Sequence, residues 1–202
     1  MSNKIIEKYG PNPIALCKDW LAEATKSEIN DPEAVNLATA DARGRPSNRM
    51  VLIKDISDEG FKFHTNGASR KGQELEANPY ASLCFYWKST RKQIRIEGTI
   101  RPVSDEETDE YFATRSKERQ IGAWASQQSE TFDDENHMDN AVAKFVKKFT
   151  NLDKIPRPPY WKGYRVNPTS IEFWIANKHR LHTRFIYRKN KDGQWDAHWM
   201  CP

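Results

Sequence analysis

The chain has 202 residues, a formal net charge of +4, and a composition that is 37% hydrophobic, 11% aromatic and 30% charged. This length suits one domain with a full core, and the seven Trp, seven Tyr and nine Phe argue against a disordered chain. No apolar run approaches the roughly 18 residues of a membrane span, and the N-terminus lacks the apolar stretch of a signal peptide, so we expect a cytoplasmic protein without a membrane partner.

Apolar residues recur at helical spacing over residues 13–26, which predicts an amphipathic helix on the core. From residue 34 the apolar period changes to two, which predicts a series of short strands. The predicted strands are 35–39, 46–55, 61–65, 81–87, 93–100, 164–174, 181–188 and 194–200. Further helices are predicted at 69–78, 104–115, 118–125 and 133–149. Strands joined by hairpin turns, with helices inserted later in the chain, indicate an antiparallel barrel with peripheral helices. The sequence has no GxGxxG or GxxxxGK[ST] motif that would support a nucleotide-binding parallel sheet.

The three cysteines are widely separated and form no CxxC pair, which argues against a disulfide framework and a zinc site. Cys84 lies within an apolar strand pattern and is predicted to be buried. His179 and His182 have no neighbouring Cys, Asp or Glu that would complete a ligand set, so no metal is predicted.

Basic residues recur at two places in the first half of the chain. Arg49 and Lys54 stand on opposite faces of the predicted strand 46–55, which suits either a solvated edge strand or a strand between two anionic groups. Ser69, Arg70 and Lys71 begin a predicted helix, where free backbone amides and two cations favour phosphate. Exposed helix starts often carry such residues, so this motif alone is a weak signal.

Two more polar groups follow in the second half. Tyr111 and Arg115 are four residues apart and are predicted to share a helix face, which Arg119 continues. They suit either a surface salt-bridge ladder or a second phosphate site.

Three cationic or titratable side chains, Arg180, His182 and Arg184, alternate along the chain. We expect them to share one face of the predicted strand 181–188. This face suits either solvent or an anionic or polar ligand.

Several longer segments follow one another along the chain: GRPSNRMVLIK, FHTNGASRKGQELEANPYASLCFYW, RKQIRIEG, YFATRSKERQIGAWASQQS, PRPPYWKGYRV, IEFW and RLHTRF. From about Pro13 to the C-terminus, the sequence therefore resembles the pyridoxamine 5'-phosphate oxidase family. The resemblance implies a mainly β fold with peripheral helices, the FMN-binding split β-barrel, in a homodimer with two flavin sites at the subunit interface. One domain is expected over residues 1–202, with an N-terminal helical segment, 1–30, and C-terminal strands, 164–202, that complete the barrel and the substrate site.

The resemblance also implies site residues. The FMN phosphate and ribityl chain would be contacted by Arg49, Arg70, Lys71 and Ser129. The flavin ring would be contacted by Val51, Leu52, Thr65, Gln93, Gln128, Trp174 and Arg184, and the cofactor set is completed by Met50, Lys54 and His64. The substrate phosphate would be held by Lys54, Tyr111 and Arg115, with Arg119 beside them. Arg180 and His182 would be the catalytic pair that also binds substrate and orients its ring over the flavin.

The implied reaction is FMN-dependent oxidation of pyridoxamine 5'-phosphate and pyridoxine 5'-phosphate to pyridoxal 5'-phosphate, with O2 reduced to H2O2. Three positions depart from the family pattern: Arg119 replaces a usual Ser, Thr183 replaces a carboxylate, and the ending 199–202 is unusual. Because these departures touch the substrate side or the tail, two alternatives stay open. One is an FMN-dependent oxidase with another substrate, as in the phenazine-pathway members, and the other is a non-catalytic protein that binds flavin or pyridoxal phosphate. A nucleic-acid partner is not predicted, because no reading element is recognisable.

Overall fold

The computed structural model describes residues 3–202, and side chains from residue 6 onward. Residues 1 and 2 of the predicted N-terminal segment 1–30 lie outside the described residues. The helices are α1 Asn3–Tyr9, α2 Pro13–Ser27, α3 Arg70–Ala77, α4 Asp105–Ala113, α5 Lys117–Ala125 and α6 His137–Phe149. In the described part of the chain, no helix has both the length and the hydropathy of a membrane span.

The strands form one antiparallel sheet. They are β1 Ala34–Ala40, β2 Pro46–Leu52, β3 Asp55–Ser57, β4 Gly60–Asn66, β5 Tyr80–Trp87, β6 Lys92–Pro102, β7 Trp161–Ile175, β8 Thr183–Lys189 and β9 Trp195–Met200. The order across the sheet is β2-β1-β5-β6-β7-β4-β3, and β8 and β9 extend from β7. The predicted class, mainly β with peripheral helices, is therefore confirmed.

Strand β7, which has 15 residues, explains how the sheet curls and splits. One edge of β7 pairs with β6 along most of its length, whereas its other edge pairs first with β4 and then with β8. The register shifts between Glu97 and Gly98, and a Cβ at Gly98 would lie 2.1 Å from the backbone oxygen of Asn167. A glycine at this bulge therefore lets two strands approach closely where the sheet bends. This branching at β7 matches a split barrel.

The core lies inside the curled sheet and under α2. Alternate residues of β1 and β5 point inward, and Leu37 and Leu83 are fully buried. Helix α2 covers this core with a buried stripe, in which the ring of Trp20 meets that of Phe173 edge-on at 5.1 Å. The predicted helix over 13–26 is thereby confirmed, with its apolar face on the sheet.

Some predicted boundaries are wrong for local reasons. The predicted strand 46–55 divides in two because the backbone of Lys54 donates to the carbonyl of Lys62, which turns the chain toward β4. Helix α6 begins at His137, four residues later than predicted. Cys84 is half-buried and not buried, because it lies on the opposite face of β5 from Leu83 and is paired with Arg95 of β6.

The predicted strand 181–188 is also too long. His179 and Arg180 have φ angles of 57° and 60°, in the left-handed region, so the chain turns there and β8 begins at Thr183. The backbone N–H of Asn177 donates to Nδ1 of His182 at 3.2 Å, which holds the turn. Arg180 and His182 therefore do not share a strand face with Arg184, and that prediction is wrong.

The packing of α2 gives a first test. We expect Trp20→Ala to lower the free energy of unfolding by about 3–5 kcal/mol, because it leaves a cavity against Phe173. Urea denaturation of purified protein measures this change. The control is Ile29→Ala, whose side chain is 99% exposed and whose loss should change stability by less than about 0.5 kcal/mol. A loss below about 1 kcal/mol for Trp20→Ala would mean that α2 does not seal the core.

Candidate active site

A cavity of about 860 Å³ opens between β2, β4, the start of β7 and the helices α3, α4 and α5. Most of the predicted site residues line it: Arg49, Met50, Val51, Leu52, Lys54, His64, Thr65, Arg70, Lys71, Tyr111, Arg115, Arg119, Gln128 and Ser129. Other lining residues were not predicted from the sequence, among them Ser47, Asn48, Asn66, Ser126 and Trp161. The cavity thus gathers residues from five separate stretches of the chain.

The start of α3 forms one end of the cavity. Ser69 caps the helix by accepting a hydrogen bond from the N–H of Gly72, and the N–H of Arg70 donates to Oγ of Ser129 at 3.3 Å. A Cβ at Gly72 would lie 2.1 Å from the carbonyl oxygen of Gly67, so this turn requires glycine. The helix start and its adjacent cations make this end of the cavity attractive to an anion.

Lys71 is buried at this end of the cavity. Its Nζ donates to Oε1 of Gln128 at 2.6 Å, and the same oxygen accepts a hydrogen bond from Thr65. Burial, and then the nearby charge of Arg49, lower the pKa of Lys71 to about 8. A buried ammonium with a neutral partner is costly, and an anionic ligand would reduce that cost.

Glu74 is a buried acid behind these cations that the sequence reasoning missed. Its Oε2 lies 3.2 Å from Nη2 of Arg49, and its Oε1 accepts from Nε of Arg70 at 2.8 Å. The hydroxyls of Thr39 and Ser47 donate to the same carboxylate. Burial alone would raise the pKa of Glu74, but these hydrogen bonds outweigh burial and lower the pKa to about 2. The i,i+4 spacing from Arg70 was the available sequence signal.

Aromatic rings form the opposite wall. The ring of His64 stacks on Tyr111 at 4.3 Å and on Trp161 at 4.8 Å. Both ring nitrogens of His64 are buried, and neither has a partner in the described part of the chain. Burial, followed by the charge of Lys62, lowers the pKa of His64 to about 4, so the ring is neutral at pH 7.

Arg115 completes this wall. Its guanidinium lies 5.0 Å from the ring centre of Trp161 and 5.6 Å from that of Phe112, a cation–π arrangement. Among the described residues, no group accepts a hydrogen bond from its buried Nη1. Such an unsatisfied donor in a cavity wall favours an anionic ligand.

The predicted shared helix face of Tyr111 and Arg115 is wrong, because α4 ends at Ala113 and Arg115 lies in the following turn. Both side chains nevertheless line the cavity. The alternative of a surface ladder also fails, because Glu107 pairs with Lys62 and Arg165 instead.

Two further cations border the same wall. Lys54 pairs with Glu33 at 3.3 Å. Arg119 is exposed in the first turn of α5, and its charge, after burial, lowers the pKa of Arg115. The cavity therefore has two groups of cations, one around Arg49, Arg70 and Lys71 and the other around Lys54, Arg115 and Arg119.

The remaining predicted residues lie outside the cavity lining. Gln93 of β6 pairs with Trp174 of β7, which pairs with Arg184 of β8, so the three form a row across the sheet. The ring of His182 lies 4.6 Å from that of Trp174. Arg184 is held by buried Glu172, whose Oε1 accepts from Nε at 2.8 Å. Arg180 is exposed in the turn before β8. A second group is therefore formed by Gln93, Trp174 and Arg184 on the strands β6–β8, with Arg180 and His182 in the turn before β8.

Comparison with known proteins finds matches that together cover most of the chain. Residues 21–174 match the model of the family described as "Pyridoxamine 5'-phosphate oxidase", and residues 161–202 match "Pyridoxine 5'-phosphate oxidase C-terminal dimerisation region". A pyridoxine/pyridoxamine 5'-phosphate oxidase of Caulobacter vibrioides is 49% identical over 191 residues, which cover 95% of this chain and 85% of that protein. Another from Rhodopseudomonas palustris is 51% identical over 192 residues, which cover 95% and 90%.

Solved structures agree on the fold. PhzG from Burkholderia lata 383, in complex with tetrahydrophenazine-1-carboxylic acid, superposes with a TM-score of 0.87 at 36% identity, covering 94% of this chain and 92% of that one. An FMN-binding protein from Nostoc punctiforme shares the fold with a TM-score of 0.74 at 17% identity, covering 92% and 96%. The family match over most of the chain and the identities near one half lead to one conclusion: this chain belongs to the pyridoxamine 5'-phosphate oxidase family.

Proposed function

We propose that this chain is an FMN-dependent oxidase that converts pyridoxamine 5'-phosphate and pyridoxine 5'-phosphate to pyridoxal 5'-phosphate, with O2 as electron acceptor, within one domain over residues 1–202. The observation that carries the proposal is the pair of separate cation groups in one cavity. Cofactor and substrate each bring a phosphate, so a site for both needs two such groups. The names of the relatives support the same activity. A cytoplasmic location stays a prediction from the sequence.

The residues around α3 fit FMN. Arg49, Arg70 and Lys71 would hold its phosphate with the amides at the start of α3, and Gln128 and Ser129 would contact the adjoining chain. Lys71 has a neutral partner in a buried position, which is the arrangement expected of a cation that awaits an anion. When bound, FMN would supply the acceptor of a hydride from the substrate and pass the electrons to O2.

The opposite wall fits the substrate phosphate. Arg115 presents a buried N–H that has no partner among the described residues, and its guanidinium packs against Trp161. It would therefore bind phosphate with little loss of side-chain freedom. Lys54, Tyr111 and Arg119 would complete this group. The stacked rings beside Arg115 would exclude water from the space between the two phosphates.

The second group of residues implies a site completed by two protomers. Trp174, Arg180, His182 and Arg184 all lie in the region that matches the dimerisation family, residues 161–202, and outside the lining of the cavity. We propose a homodimer in which these residues, with Gln93, close the cavity of the other protomer. Arg180 and His182 would then orient the substrate ring, and Trp174 and Arg184 would contact the flavin.

A second candidate is an oxidase for a different anionic substrate. It is favoured by the likeness to PhzG, whose structure contains a carboxylic acid. A carboxylate would need fewer cations than a phosphate, so the three cations near Arg115 support the phosphorylated substrate.

The decisive experiment loads the protein with FMN, excludes O2, adds pyridoxamine 5'-phosphate and follows the flavin absorbance. We expect rapid bleaching that air reverses, with pyridoxal 5'-phosphate formed. A flavin that stays yellow with this substrate, but bleaches with a carboxylated one, would favour the second candidate. A flavin that never bleaches would indicate a binding protein without turnover.

We expect the protonation of Lys71 to make FMN binding depend on pH. Its ammonium, with a pKa of about 8 in the free protein, attracts phosphate only when protonated, and the bound phosphate raises that pKa. FMN affinity should therefore fall as pH rises above 8, by up to about tenfold per pH unit. Titration of flavin fluorescence from pH 7 to 9.5 measures it. Lys71→Arg stays charged and should remove this fall, and an unchanged fall in that variant would assign it to another group.

The shared site predicts subunit complementation. Arg180→Ala should keep FMN bound but lower turnover by about a hundredfold, because substrate orientation is lost. Arg115→Ala should lower turnover of the phosphorylated substrate in the same way. A heterodimer of these two variants has one intact site, so it should recover about half of the wild-type turnover.

Differently tagged copies, purified together, measure this recovery. The control is each variant alone at the same flavin content. A heterodimer as inactive as either homodimer would show that each chain builds its site alone.

A further inference from the structure

Two arginines that face the cofactor end of the cavity share one buried carboxylate. Glu74 is 5% exposed, and it contacts Arg49 through Oε2 and Arg70 through Oε1. Each arginine thus meets a different oxygen of the same group. Arg49 comes from β2 and Arg70 from α3, so this carboxylate is the link between the two elements that form the proposed phosphate site.

The charge of Glu74 offsets the repulsion between the two arginines, but it gives no reason for stronger binding of a phosphate. A carboxylate behind a phosphate site repels the phosphate and weakens the field of the cations that attract it. Nevertheless Glu74 is ionised and held by two hydroxyl groups, those of Thr39 and Ser47, in addition to the arginines. The same hydroxyls accept hydrogen bonds from Arg49. Any benefit of Glu74 to phosphate binding must therefore come from the geometry that it gives to the arginines.

The hydrogen bonds show what is held in place. Arg70 gives only its Nε to Glu74, and within the described residues its two terminal nitrogens make no other hydrogen bond. Arg49 donates hydrogen bonds to four partners, which together set its plane: the carbonyl of Leu37, the hydroxyls of Thr39 and Ser47, and the carboxylate of Glu74. Two guanidinium groups that would otherwise repel each other are thereby kept in position before any ligand arrives.

We propose that Glu74 is a positioning residue that orients Arg49 and Arg70 for the phosphate of the cofactor. The inference rests on the proposed function, because it requires FMN in this cavity. It states that the acid contributes to FMN affinity although its charge opposes the phosphate. If positioning dominates, removal of the acid should weaken FMN binding. If charge dominates, removal of the acid should strengthen FMN binding.

The test compares two substitutions on one helix that remove the same charge. Glu74→Gln leaves an amide N–H₂ among donors, which disturbs both arginines, whereas Glu76→Gln changes an exposed acid two residues away. Dissociation constants for FMN and riboflavin are measured by quenching of flavin fluorescence. Riboflavin lacks only the phosphate. We expect Glu74→Gln to weaken FMN by about tenfold or more and riboflavin by less than about twofold, and Glu76→Gln to leave FMN unchanged or slightly tighter.

The inference is overturned if Glu74→Gln binds FMN as tightly as the wild type or more tightly, because charge would then decide. It is also overturned if FMN and riboflavin weaken equally, because Glu74 would then support the whole pocket. Should Glu74→Gln not fold, Glu74→Asp carries the same test, since it keeps the charge and withdraws the oxygens from the arginines. If the wild type itself does not prefer FMN to riboflavin, the proposed function fails, and that result is separate from any effect of the variants.

Discussion

The concentration of positive charge in one cavity is the constraint on which the rest of the site depends. Arg49, Arg70 and Lys71 lie together at one end of the cavity, where their mutual repulsion opposes folding. The structure offsets this repulsion with a buried acid, Glu74, and a neutral acceptor, Gln128. The three cations still attract an anion, and a bound ligand would satisfy this attraction. Because these buried polar groups are already in place without a ligand, the cofactor site is formed before the cofactor binds.

The two halves of the proposed site lie at opposite ends of strand β7. Its first residues lie beside β4 and the cavity, where Trp161 supports Arg115, and its last residues carry Trp174 beside β8. The strand spans 15 residues, a length of about 50 Å at the usual rise per residue. One protomer therefore cannot bring both ends of this strand to the same ligand. In the proposed homodimer the second protomer would supply the other end, and residues 161–202 match a dimerisation region.

The sequence predicted the architecture well, because alternation and turn residues are local signals. It predicted most strands to within a few residues. The family resemblance grouped Arg49 with the start of α3, and the structure places both on one cavity. It failed at the turn before β8, where positive φ angles at His179 and Arg180 leave no mark in hydrophobic periodicity. Whether Arg180 and His182 are catalytic stays a prediction.

Tertiary contacts explain why two other residues of the site were not predicted. Glu74 and Trp161 were missed because, apart from Arg70, the partners that make them important are distant in sequence. Glu74 meets Thr39 over 35 residues, and Trp161 supports a guanidinium 46 residues earlier, at Arg115. A glutamate in a short helix and an aromatic residue at the start of a strand look like ordinary surface and core residues. Only the fold shows that each one sets the position of an arginine.

The departure from the family pattern at Arg119 follows the same electrostatic logic. A cation in the first turn of α5 faces the positive end of the helix, and it also lies close enough to Arg115 to lower that residue's pKa. Both effects disfavour Arg119 in the empty site. A dianionic phosphate between Arg115 and Arg119 offsets both, whereas an uncharged ligand offsets neither. The substitution thus strengthens the case for a doubly charged substrate group at this wall, because a hydroxyl in its place would bring no charge that needs compensation.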